Sequence, residues 1–216
     1  MNIEDRYREV LDRIRLSCEK VGRNPASVHL IAVSKLQSVE KIQELYNLGH
    51  RDFGESKVQE LLVKVDALPK DIRWHFIGTL QSNKLKKAAE VCEVIHSIDS
   101  ESQLKEIRKI DSSLNVFVQV NIGDEPQKSG VNKNGLDSMV ASVLNCSQAK
   151  LLGLMTIGPA VKDAEAMRPY FAEMRSLNER VGGKWLSMGM SSDFDVAVQE
   201  GSTHIRVGSL LFGDRH

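Results

Sequence analysis

Lys35 stands directly after the apolar run 30–34, Leu-Ile-Ala-Val-Ser. A strand that closes on an amine rather than on a turn residue is a candidate for carbonyl chemistry, because a neutral lysine amine is a nucleophile for aldehydes. Two segments far downstream, MGMSSDF at 188–194 and RVGSLLFG at 206–213, each set glycine and serine where a helix would start. Glycine lets backbone come close to a ligand, and the free N–H groups of a helix N-terminus bind anions. Either segment alone reads as an ordinary serine-capped turn. Both together, on adjacent elements, point to a phosphate cup.

Other residues are weaker candidates. His75, within WHFIG, suits a general acid or base, although a hydrogen-bonded core histidine is the commoner outcome. Glu55 and Asp99 are expected on the same rim, where structural pairing and chemistry are equally good explanations. Asn121 is a candidate holder of a polar ligand group or an ordered water. Met155, Met188 and Met190 read as pocket wall or core.

Short apolar runs alternate with amphipathic helical stretches along the whole sequence. Strands are predicted at 30–34, 52–53, 74–77, 94–97, 116–122, 151–155, 185–186 and 204–207. Helices are predicted between them at 39–48, 57–67, 81–91, 101–110, 136–145, 163–181 and 194–200. Alternation of this kind implies parallel strands with helical crossovers. Eight units, with no G-x-G-x-x-G after the first strand, favour a closed (β/α)8 TIM barrel over an open doubly wound sheet. A leading helix at 2–21 is expected to cover the gap beside a short final helix. One domain over 1–216 follows, with no linker or internal repeat. The longest predicted loop, 123–135, falls on the side where such a barrel carries its chemistry.

Composition narrows the classes. Basic and acidic residues balance at 29 each, so no global field recruits nucleic acid or an anionic membrane. The densest basic run, NKLKK at 83–87, reads as a solvated helix face. Three dispersed cysteines, Cys18, Cys92 and Cys146, suit free thiols in a reducing, cytoplasmic compartment. No Cys/His spacing matches a structural zinc site. The N-terminal segment is charged from Glu4 onward and carries no apolar signal core. A soluble monomer or weakly associating protein is expected.

In a barrel the chemistry gathers at the C-terminal strand ends. Closure makes strand one a neighbour of strand eight, which sets Lys35 opposite the phosphate loops and near Arg206. A fixed cation and partial desolvation both favour the neutral amine. An amine facing a phosphate cup suggests a Schiff base with a phosphorylated aldehyde. Three classes fit: a protein holding pyridoxal 5′-phosphate (PLP) on Lys35, a PLP-dependent racemase or decarboxylase, and a cofactor-free aldolase for sugar phosphates. If Arg206 faces a pyridine nitrogen, that nitrogen stays unprotonated, because guanidinium only donates. Racemisation also needs a second proton-transfer group, and Tyr7, Tyr46 and Tyr170 all fall in predicted helices. The residues build a holder better than a catalyst.

The segments LIAVSK, FGESKVQE, WHFIGTLQSNK, HSID, LLGLMTIGP, LSMGMSSDF and IRVGSLLFG closely resemble, in order and spacing, the pyridoxal phosphate homeostasis protein family. The resemblance implies a fold-type III PLP barrel similar to the N-terminal barrel of alanine racemase. It implies PLP on Lys35, Arg206 at the pyridine nitrogen, and Ser191 and Gly208 at the phosphate. It further implies a role in intracellular vitamin B6 homeostasis without robust turnover, with recipient PLP enzymes as candidate partners. The alternative is weak racemase-like activity. Leu36, Gln37 and Ser56 stand where the family usually has threonine, often lysine, and asparagine.

Overall fold

In a computed structural model, described here for residues 1–213, eight parallel strands close into a barrel in sequence order. The strands are β1 (His29–Val33), β2 (Asp52–Glu55), β3 (Arg73–Phe76), β4 (Val94–Ile98), β5 (Leu114–Val120), β6 (Ala149–Thr156), β7 (Trp185–Met190) and β8 (His204–Val207). The helices are α1 (Ile3–Glu19), α2 (Val39–Asn47), α3 (Val58–Ala67), α4 (Ser82–Ala89), α5 (Glu101–Ile107), α6 (Leu136–Leu144), α7 (Arg168–Arg180), α8 (Phe194–Gln199) and α9 (Ser209–Phe212). The closed barrel and its leading helix agree with the pattern predicted from sequence. Residues 214–216 of the expected domain lie outside the described residues.

Local chemistry sets the helix starts. The Asn2 side chain accepts the Asp5 N–H at 2.8 Å, with Glu4 and Asp5 at the positive end of the α1 dipole. Ser38 caps α2 in the same way. The predicted helix 163–181 is divided into a single 3-10 turn, Ala164–Met167, and α7. Pro169, which has no N–H to donate, fits only the first turn of a helix, and α7 begins there. Lys86 and Lys87 of the basic run are exposed on α4.

Two predicted strands were too short. β2 extends to Glu55 because Gly54, without a side chain, fits where a Cβ would press on Ile31 at 2.9 Å. β7 extends to Met190 through a bulge: Ser187 pairs with His204, but Met190 pairs with Arg206. Gly189 is the extra residue, at φ 91, and a Cβ there would meet Ala197 at 2.5 Å. The bulge keeps both Ser187 and Met190 on the same face as His204 and Arg206. An alternation read straight through would have turned one of them outward.

Most of the core lies between sheet and helices, where Phe53, Ile95, Leu104 and Phe194 are buried. A small apolar cluster of Val94, Phe117 and Met155 fills part of the barrel interior. That interior also holds polar side chains, with His75, His96, Ser187, His204 and Arg206 all buried. Helix α1 packs on α8 and α9, covering the side where the last helix has only four residues. Cys18, Cys92 and Cys146 are free and buried. Among the described residues no helix is long and apolar enough to cross a membrane.

Candidate functional site

The pairing of β1 with β8 sets Ile31 beside Arg206 and Ala32 beside Val207. The residues that follow these pairs, Lys35 on one side and Gly208 on the other, therefore meet at the C-terminal mouth of the barrel. They line a cavity of about 460 Å³ together with Ser56, Ser191, Ser192, Arg206 and Ser209. Val33, Ile77, Ile157 and Met190 supply its apolar wall. All four residues singled out from sequence, Lys35, Ser191, Arg206 and Gly208, line this one cavity.

Lys35 projects from a tight turn. Strand β1 stops at Val33, one residue earlier than predicted, and the Gln37 N–H donates to the Ser34 carbonyl at 3.0 Å. Leu36 takes the left-handed conformation, φ 61, which is costly for a branched residue unless its surroundings hold it. The holding groups come from α3. The Leu36 N–H donates to Glu60 Oε1 at 2.6 Å, and the Lys64 ammonium donates to Glu60 Oε1, Glu55 Oε1 and the Ser34 carbonyl. Three donors meet three acceptors, so this buried cation is saturated. Burial pushes the Glu55 carboxyl up, and the Lys64 and Ser34 hydrogen bonds pull against it. The Leu36 side chain is exposed and, with Gln37, lies outside the cavity lining, so those two departures from the family pattern do not reach its wall.

Ser191 and Gly208 belong to the loops after β7 and β8. The Gly208 N–H donates to Ser191 Oγ at 3.2 Å, tying the two loops together. The backbone N–H groups of Ser191, Ser192 and Ser209 have no hydrogen-bond partner among the described residues. Asp193 does not cap α8 with its side chain; its carboxylate accepts the Met190 N–H at 2.7 Å and stiffens the turn. Arg206 is buried, donating from Nη1 to Ser187 Oγ at 2.8 Å and from Nη2 to the Thr156 carbonyl at 2.7 Å. Burial lowers it to about 10, which leaves it a cation at neutral pH.

Several weaker candidates have structural roles. Asn121 bonds the backbone of Glu125 through both side-chain atoms, folding the 123–135 loop. Asp99 accepts the Gly130 N–H of the same loop, which also adds a bridge from Val131 to Val120. Met155 and Met188 are core, and Met190 alone of the three lines the cavity. His75 lies in the barrel interior, bonded to Asp52 and His96, away from the cavity. Sequence reasoning missed Glu60, Lys64, His96 and Ser187. Glu60 and Lys64 look like an ordinary surface i,i+4 pair.

Gly78 lines the cavity just after β3, pressed against the Ser56 loop. A Cβ there would lie 2.3 Å from the Ser56 carbonyl oxygen and 2.7 Å from its Cα. Backbone cannot yield as a side chain can, so Gly78→Ala is expected to cost about 1–3 kcal/mol of overpacking. It should also displace Ser56 from the wall. Urea unfolding with an unchanged midpoint would contradict this.

The family profile for the alanine racemase N-terminal domain matches residues 10–216. A pyridoxal phosphate homeostasis protein of Aquifex aeolicus is 41% identical, with 100% of this chain and 99% of that protein covered. One from Schizosaccharomyces pombe is 39% identical over 95% of this chain and 91% of its own. The chain belongs to the pyridoxal phosphate homeostasis protein family. The solved structure of PipY from Synechococcus elongatus with PLP bound superposes with a TM-score of 0.79 at 35% identity, covering 94% of this chain and 100% of that one. Alanine racemase of Corynebacterium glutamicum, at 14% identity and a TM-score of 0.70, shares the barrel fold over 95% of this chain and 61% of its own.

Proposed function

We propose that this protein binds PLP at the C-terminal mouth of its barrel, holds it covalently on Lys35, and buffers or delivers it to PLP-dependent enzymes. The donor set fits that cofactor. A volume of about 460 Å³ is in the range of small-molecule sites. Lys35 would supply the amine for a Schiff base with the aldehyde, water being the group that leaves as the carbon–nitrogen bond forms. Ser191, Gly208 and the unpartnered N–H groups of the β7 and β8 loops would hold the phosphate, and Arg206 suits an unprotonated ring nitrogen. When bound, PLP supplies an electron sink for carbanions, and a ring nitrogen left unprotonated by Arg206 weakens that sink.

The observation that carries the choice of holder over catalyst is the cavity lining itself. Among the described residues its titratable side chains are Lys35 and Arg206 alone. Lys35 can move a proton on one face of a ligand, and a guanidinium cannot act as base. Tyr7, Tyr46 and Tyr170 sit on α1, α2 and α7. The free cysteines suit a reducing, cytoplasmic setting.

Wild type and Lys35→Ala, each mixed with PLP and freed of excess, test the reading. The wild type should keep a visible absorption band that the variant lacks. A colourless wild type would overturn the reading. So would α-proton exchange on amino acids that Lys35→Ala abolishes, since that would make the protein a racemase-like enzyme.

A further inference from the structure

Arg206 is the end of a hydrogen-bonded chain that runs through the barrel interior. From Ser187 Oγ, which accepts from Arg206 Nη1, the chain continues to His96 Nδ1 at 2.9 Å. His96 Nε2 meets His75 Nδ1 at 3.0 Å, and His75 Nε2 meets Asp52 Oδ1 at 3.2 Å. Five strands, β2, β3, β4, β7 and β8, each contribute one member. Asp52 opens on a depression of about 610 Å³ at the opposite mouth of the barrel, where Arg73 also bonds it.

With both imidazoles neutral, donor and acceptor rules allow this chain one direction. Guanidinium can only donate, and an ionised carboxylate can only accept. Ser187 Oγ therefore receives the Arg206 hydrogen and, with both rings neutral, must give its own to His96 Nδ1. His96 then carries its hydrogen on Nε2 and donates to His75 Nδ1. His75 carries its hydrogen on Nε2 and donates to Asp52. With neutral imidazoles no other placement makes all four contacts hydrogen bonds. Burial beside Arg206 keeps His96 neutral, and the Arg73 and His75 hydrogen bonds hold the Asp52 carboxyl well below the usual range against its partial burial. Phe117 stacks on the His96 ring at 4.6 Å and fixes its plane.

We propose that Ser187, His96, His75 and Asp52 are positioning residues for Arg206, forming a tautomer-locked chain of donors that sets the guanidinium against the cofactor ring from the far mouth of the barrel. The part concerning the ring rests on PLP binding in the cavity; the tautomers do not. With Nη1 tied to Ser187 and Nη2 to the Thr156 carbonyl, the guanidinium cannot rotate in its plane, and its remaining N–H groups are left for the cavity. The electronic state of a bound cofactor then depends on residues that do not touch it.

Ring ¹⁵N chemical shifts of the ligand-free wild type test the chain without any variant. His96 should be a neutral Nε2–H tautomer at pH 7. An Nδ1–H tautomer at His96 would reverse the upper links and overturn the proposal. In PLP-loaded protein, Ser187→Ala and His75→Phe should each shift the visible band and weaken retention of PLP roughly fivefold, the scale of one lost hydrogen bond. Val116→Ala, which thins the outer core, should lower stability without moving the band. If His75→Phe behaves like Val116→Ala, the chain is structural only and the proposal fails. A wild type that takes up no PLP would remove the functional reading, while the tautomers would still decide whether the chain exists.

Discussion

Lowering the pH from 6.5 towards 4 should strip stability from this protein at roughly 3 kcal/mol per pH unit at the steepest point. His204 is lowered to about 3, chiefly by burial, and His96 lies well below its ordinary value for the same reason. In the unfolded chain both take a proton below about 6.5. In the folded barrel neither does so until far lower pH. The unfolded state therefore binds more protons in this window, and stability falls as pH falls. Burial lowers His29 and His50 as well, which adds to the slope. Glu55, Asp99 and Asp193, raised by burial, oppose it because the folded state takes up their protons first. Unfolding free energies in urea at pH 7, 6 and 5 measure the slope, and a value below about 1 kcal/mol per unit would refute the account. His204→Phe, which retains a ring against Trp185 and Phe117, should take about 1.4 kcal/mol per unit out of it.

Lys64→Met should cost about 3–5 kcal/mol, the penalty for leaving one member of a buried ion pair behind. The Lys64 and Glu55 side chains are 5% and 0% exposed, so water cannot replace the lost partner. Glu55 Oε2 already lacks a hydrogen bond, and Oε1 would keep only the Ser34 hydroxyl. The Ser34 carbonyl would lose one of its two donors and keep only the Gln37 N–H. Because that carbonyl also closes the turn that presents Lys35, the variant should form its adduct with PLP more slowly than wild type. Pairing the change with Glu55→Gln, which removes the stranded charge, should recover a large part of the loss. A double variant no more stable than Lys64→Met would show that packing, not charge, sets the cost.

The barrel was legible in the sequence because each strand and helix signals its own period, and eight such units have few ways to close. The convergence of Lys35, Ser191, Arg206 and Gly208 on one cavity was legible because they sit at strand ends, where position in the fold implies position in space. The chain from Arg206 to Asp52 was harder to read. Its three middle members, His75, His96 and Ser187, are single polar residues in WHFIG, VIHSI and WLSMG, far apart in sequence, and only the strand register makes them neighbours. A period-2 count of polar residues inside apolar strands carries part of that signal. The bulge at Gly189 hides the rest by shifting the count by one. Lys64 was illegible for the opposite reason: an i,i+4 acid–base pair is the usual mark of a solvated helix face, and here the face is covered by the Lys35 turn.

The pairing of β1 with β8 has a consequence for how the chain is made. Lys35 follows the first strand of the barrel to leave the ribosome and Arg206 lies on the last. During synthesis the lysine is therefore present long before anything stands opposite it. Pairing over so long a separation is entropically costly and forms late in folding. A ligand gripped by both edges of that seam binds only the closed form, and favours it by mass action in proportion to the logarithm of its concentration. In a cell short of the cofactor, the last step of folding would be the first to falter.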